Sequence, residues 1–149
     1  GLHSNGFTKV RGMFGPDEWR DDFIRPTAIY AEKILPLLKK HEVHGMMHIT
    51  GGAFTKLKDL LPGLDAHIAA PPKLSPQPIF HELHERGIPD ADMYRTFNCG
   101  IGFVLGVPEH GARAAVRALG AAAAVIGRVE KGEGKVVIRS AFSKRGVVL

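Results

Sequence analysis

Cysteine is nearly absent from this 149-residue chain: Cys99 stands alone. That excludes a disulfide framework and a CxxC metal pair, and it fits a reducing compartment, so the cytoplasm is the expected location. Long apolar runs are missing too. The longest, ALGAAAAVIG from Ala118, is Ala-rich, far shorter than the ~20 residues of a bilayer span, and near the C-terminus, so neither a membrane helix nor a signal peptide is expected. No GxxxxGK[ST] occurs, and GIGFVLG from Gly100 is a GxGxxxG that leads into a strand instead of leaving one. P-loop and dinucleotide-binding folds are therefore disfavoured. Blocks of one charge are lacking. The formal charge of +5 is scattered from Lys9 to Arg145, which favours small anions and gives little reason to expect nucleic acid. There is no initiating methionine either: Gly1 opens on GLHSNG, which reads as the middle of a motif, so a fragment is expected.

What is present is enough apolar residue, 44%, to close one core of ordinary size, and no linker divides the chain, so one domain over 1–149 is expected. Asn5 or Ser4 can cap a helix running through Phe7, Val10 and Phe14 to Gly15 and Pro16. A second helix follows Pro26 and Thr27, with Pro36 bending it. Residues 43–49 read as a buried strand ended by Thr50, Gly51 and Gly52, with helix resuming at Phe54 and stopping by Pro62. DAHIAA reads as a short strand, PPKLSPQP as a loop, Ile79–Arg86 and DADMYRTF as helices, and Gly100–Val107 as a strand. A helix with Pro108 at its first position comes next. The runs on either side of KGEG read as a hairpin. Strands and helices alternate without strict repeats. The expected class is α+β: a mixed, largely antiparallel sheet with helices packed on it.

Two histidines, His44 and His48, sit in VHGMMHITGGAF. In a strand they would lie about 13 Å apart at roughly 3.3 Å per residue, too far to share an ion. HEVH and HELH place their second histidine one position short of the HExxH zinc helix, so no metal site is expected. The glycines after Thr50 suit a different device, in which free backbone N–H groups at a helix start meet a phosphate. A plain tight turn explains the same glycines. HSNG is a second candidate of this kind, and Asn98 in RTFNCGIG is a third polar node, with a left-handed helix-ending Asn as its structural alternative. Cys99 reads as buried packing and Trp19 with Phe23 as a packed aromatic face.

GLHSNGFTKVR, RPTAIY, VHGMMHITGGAFTKL and MYRTFNCGIGFVL, in this order and spacing, resemble the C-terminal domain of phosphoribosylformylglycinamidine cyclo-ligases, the aminoimidazole ribonucleotide synthetases. The resemblance covers essentially the whole chain. It implies a substrate-side half of a two-domain, homodimeric enzyme whose N-terminal ATP-binding domain lies outside this chain, with the active site in the cleft between the halves. The implied reaction uses ATP and Mg²⁺ to phosphorylate the formamide oxygen of formylglycinamidine ribonucleotide. A nitrogen of the same molecule then closes the imidazole ring, releasing ADP and phosphate. By matching positions, His3 and His48 are implied as catalytic, and Ser4, Asn5, Thr50, Gly51, Gly52, Asn98 and Gly100 as substrate- or phosphate-binding, without individual acid or base roles. Ala53, where a third glycine is usual, implies a less permissive loop, and PPKLSPQP departs from a tryptophan-containing approach to the next helix. A related kinase or synthetase, such as one acting on thiamine monophosphate, and a non-catalytic binding or dimerisation module remain alternatives.

Overall fold

A computed structural model describes residues 1–149, the side chain of Asn5 excepted. Five α-helices are formed, α1 (Ser4–Arg11), α2 (Ala31–Leu38), α3 (Pro78–Glu85), α4 (Asp90–Thr96) and α5 (Glu109–Leu119). The strands are β1 (Gly45–His48), β2 (Leu64–Ile68), β3 (Phe103–Gly106), β4 (Gly127–Lys131), β5 (Val136–Arg139) and β6 (Gly146–Val148). Short 3₁₀ turns occupy Pro16–Glu18, Asp21–Phe23 and Pro72–Leu74, and a longer one Ala53–Leu60. No described helix is long and apolar enough to cross a membrane.

The α+β class holds, with helices packed on mixed sheets, but the strands divide into two groups. β1 pairs with β3 alone, and β4, β2, β5 and β6 lie side by side in that order. Three of the four pairings are antiparallel; β2 with β5 is parallel. The expected hairpin across KGEG is not formed. β2 slides between β4 and β5, which puts Ala66 and Ile68 beside Val136 and Ile138 in the buried centre of the sheet. The loop that would have been a hairpin turn instead arches over the start of β2. Asp65 Oδ1 accepts the backbone N–H groups of Glu133 and Lys135, each at 2.8 Å, and Gly132 N–H donates to the Gly63 carbonyl.

Those N–H bonds, from Lys135 first and then Glu133, hold the Asp65 carboxyl below its usual range. A depressed carboxylate contributes stability that is fully present above the ordinary value of 3.8 and is lost as pH falls through the lower folded value. Asp65→Ala should therefore speed amide hydrogen exchange at Glu133 and Lys135 several-fold near neutrality, while in the parent chain those amides lose protection only in acid.

The strand expected over residues 43–49 exists, but it is not buried. With only β3 beside it, β1 alternates between half-buried and exposed residues, and Met46 and His48 face outward while the first fully buried position is Ile49. α1 has His3 as its N-cap, one residue before Ser4 and two before Asn5, the expected caps, with no side-chain cap, and it stops at Arg11. Pro108 precedes α5 as its N-cap. The segment after Thr50 is 3₁₀ and not α.

The core gathers Ile49, Phe54, Ile79, Phe80, Leu83 and Met93, with Phe54 edge-on to Tyr94 at 5.4 Å between centroids. Segment 12–24 is pinned to α3 from outside. Arg86 lies over the Phe14 ring at 3.9 Å, donates to the Met13 carbonyl at 2.7 Å, and pairs with Glu18 and Glu82, while Arg20 pairs with Glu82. Trp19 and Phe23 meet edge-on at 5.5 Å, but of the expected packed aromatic face only Phe23 is buried, while Trp19 is 54% exposed.

Candidate functional site

Three motifs distant in sequence meet at one surface: the N-terminal segment, the end of β1, and the turn between α4 and β3. The turn supplies the fastening. Asn98 is 5% exposed; its Nδ2 donates to the Gly1 carbonyl and its Oδ1 accepts the Gly100 N–H, both at 2.9 Å. Its backbone is not left-handed. Cys99 (φ 47°) and Gly100 (φ 89°) carry that conformation instead. Gly100 is further required because a Cβ there would sit 3.0 Å from the Ser75 carbonyl oxygen and 3.2 Å from Pro76 Cα. Ile49 N–H donates to the Gly102 carbonyl at 2.9 Å, which locks the end of β1 to the same turn.

His3 has extended backbone at the head of α1, so its imidazole leaves the helix start and reaches the β1 end. The His3 and His48 ring centroids are 5.4 Å apart. His48 belongs to the open face of β1, opposite Phe103, whose ring stacks at 6.1 Å and 22°. Tyr30, just ahead of α2, completes the group with its ring 5.6 Å from His48 and 5.3 Å from Phe103. Among the described residues the two imidazoles and the Tyr30 hydroxyl have no hydrogen-bond partner, so their polar atoms are available to a ligand.

Burial, then the charge of His48, push the His3 imidazole below its ordinary value, so it is neutral near pH 7. Burial raises the Tyr30 phenol, which keeps it a proton-bearing donor. The Cys99 thiol is pushed well up by burial, in keeping with packing and against a nucleophile.

The remaining expected positions fall around this pair. Ser4 is exposed in the first turn of α1, and the side chain of Asn5 lies outside the described residues. Thr50 follows Ile49, and its carbonyl accepts the Ala53 N–H at 2.6 Å. Gly52 (φ 77°) and Ala53 (φ 42°) turn the chain, so the tight-turn requirement is met; among the described residues, the Gly51 and Gly52 N–H groups donate to no backbone carbonyl. Ala53 is fully buried and carries the left-handed strain that a glycine would avoid. His44 is exposed and takes no part in the group, its ring bonded to Glu42 Oε1 at 2.7 Å.

Sequence reasoning did not assign Tyr30, Phe103 or Gly102 to the site. Tyr30 lies in RPTAIY, one of the stretches that carries the family resemblance, but no spacing rule links it to His48. Concavities of about 400 and 480 Å³ open elsewhere, against the four-stranded sheet and beside the proline-rich loop, and neither includes His3, Tyr30, His48 or Asn98. The histidine pair lies on an open face. Among the described residues no three His, Cys, Asp or Glu side chains converge as a metal cage.

A family model described as the C-terminal domain of AIR synthase related proteins matches residues 1–140. Phosphoribosylformylglycinamidine cyclo-ligases of Bacillus cytotoxicus and Bacillus cereus are 40% identical over 154 aligned residues, covering 90% of this chain and 44% of theirs. The protein of the same description from Bacillus mycoides is 39% identical over 158, covering 93% and 45%. The chain thus spans about half the length of the curated relatives it matches.

Proposed function

Because the chain belongs to the family of AIR synthase related C-terminal domains, we propose that it is the substrate-side half of an ATP-dependent cyclo-ligase. That enzyme converts formylglycinamidine ribonucleotide to aminoimidazole ribonucleotide, ADP and phosphate in purine biosynthesis. The observation that carries this reading is the meeting of His3 and His48, from motifs 45 residues apart, on an open face with their polar atoms unused.

The chemistry asks for a proton acceptor. When the internal nitrogen attacks the activated formamide carbon it must shed a proton, and an imidazole pair with one member held neutral is suited to take it. The substrate's ribose phosphate and amide oxygens ask for donors. The Tyr30 hydroxyl and the Gly51 and Gly52 N–H groups stand ready as donors, Ser4, Asn5 and Thr50 join them by their matching positions in the family, and Asn98 and Gly100 hold the turn on which the pair rests.

A divalent cation does not fit this donor set. Mg²⁺ takes carboxylate, phosphate and water oxygens, and none of the residues assigned to the site is a carboxylate, so no step is routed through metal here. The reading assigns ATP and Mg²⁺ to the part of the relatives that this chain does not span, and the open face to the cleft it would close, within a homodimer.

The test is ADP release by the longer protein carrying this chain, supplied with ATP and Mg²⁺. ADP should appear with formylglycinamidine ribonucleotide and not with thiamine monophosphate. Release that does not depend on the former substrate would sink the reading.

A further inference from the structure

The orientation of His48 has an unusual origin. A working histidine normally has its ring fixed by a hydrogen bond from the second nitrogen to a carboxylate or carbonyl. His48 has no such bond among the described residues, and it stands on an exposed strand face where its rotamers would otherwise be open. Three rings hem it in instead: His3, Phe103 and, edge-on, Tyr30.

Of the three, Tyr30 alone comes from outside the motifs that build the site, and its seat depends on one missing side chain. A Cβ on residue 102 would overlap the Tyr30 hydroxyl and lie 2.8 Å from Tyr30 Cζ. Gly102 has no positive φ, so alanine there strains no backbone; the adjustment falls wholly on the tyrosine. With Phe103 packed against the same ring at 5.3 Å, Tyr30 must leave its place beside His48.

We propose that Tyr30 is a positioning residue for this reaction: its ring holds the His48 imidazole toward His3, and Gly102 exists at its position to admit that ring. The inference rests on the functional reading above for its activity arm only. The ring itself acts, so the hydroxyl is dispensable for positioning.

The structural arm uses the chain and follows the nuclear Overhauser contact between the ring protons of His3 and His48. It should persist in Tyr30→Phe and vanish in Tyr30→Leu and in Gly102→Ala, with circular dichroism unchanged. In the longer protein, Tyr30→Leu and Gly102→Ala should lower kcat for ADP release about tenfold or more, as a misplaced catalytic group does. KM should stay within about threefold, and Tyr30→Phe should restore most of the rate.

Persistence of the contact in both Tyr30→Leu and Gly102→Ala would overturn the proposal, as would a Tyr30→Phe loss equal to that of Tyr30→Leu. A lost contact with an unchanged rate would uphold the positioning and strike down the catalytic reading of His48. If Gly102→Ala does not fold, the comparison of Tyr30→Leu with Tyr30→Phe decides alone.

Discussion

Replacing His48 by alanine should lower substrate-dependent ADP release by the longer protein about 100-fold or more, the range over which a positioned acid or base acts. The fold should hardly notice. His48 is exposed, ends a two-stranded sheet, and has no hydrogen bond to lose among the described residues, and surface changes of that kind stay within roughly 0.5 kcal/mol. A second readout comes from His3. Part of its depression is the charge of His48, so its titration midpoint by NMR should lie below 6.5 in the parent chain and move upward in His48→Ala, though burial keeps it from recovering fully. Equal loss of folded protein and of activity would return His48 to a structural role.

The largest expected loss of stability within the site comes from Asn98. Its buried side chain bridges the half-buried Gly1 carbonyl and Gly100 N–H, so Asn98→Ala removes two bonds and leaves both backbone groups without that partner. The cost should be about 2–4 kcal/mol, counting roughly 1 per bond and more for groups left unpaired. In thermal unfolding that reads as a fall of roughly 5–15 °C. Asn98→Asp should not rescue it: the acceptor toward Gly100 survives, but a carboxylate then faces the Gly1 carbonyl. Because the Gly1 strap also sets where His3 begins, activity per folded molecule should fall in both variants. A melting temperature unchanged in Asn98→Ala would show that the bridge contributes nothing.

Much of the site was legible because three of its parts are short, polar and rich in glycine. HSNG announces a helix start and HITGG and FNCG a turn, each with polar side chains, and the family resemblance implied that they line one cleft. What the residues could not reveal is which polar group faces inward. Asn98 was expected either as a left-handed helix end or as a substrate contact, whereas the left-handed geometry passes to Cys99 and Gly100 and the amide is spent on backbone. Tyr30 lies within RPTAIY, but its place beside His48 was hidden for a different reason: a contact through space between residue 30 and residue 102 leaves no periodicity.

The fold shows the same division. Helices α3, α4 and α5 were readable from Pro, Gly and acidic punctuation, since those signals act within one turn. Strand partners were not. KGEG has the composition of a hairpin turn, and only the competing advantage of burying Val136 and Ile138 against Ala66 and Ile68 decides otherwise. Likewise the apolar run before Thr50 looked buried because apolar content cannot report whether a second layer covers the strand.

The placement of β2 between two later strands has a consequence for how the chain comes to be folded. Asp65 waits for amides 68 and 70 residues downstream, so neither edge of β2 finds its neighbour until residues 127–139 have been synthesised. Sheet closure is then a long-range event, slow by comparison with the local helices that precede it. Until it happens, Ala66 and Ile68 stand on an unpaired strand open to any other extended chain. A nascent chain stalled before Gly127 would have helices and no four-stranded sheet, and residues 127–139 work as the clasp that closes an otherwise sticky strand.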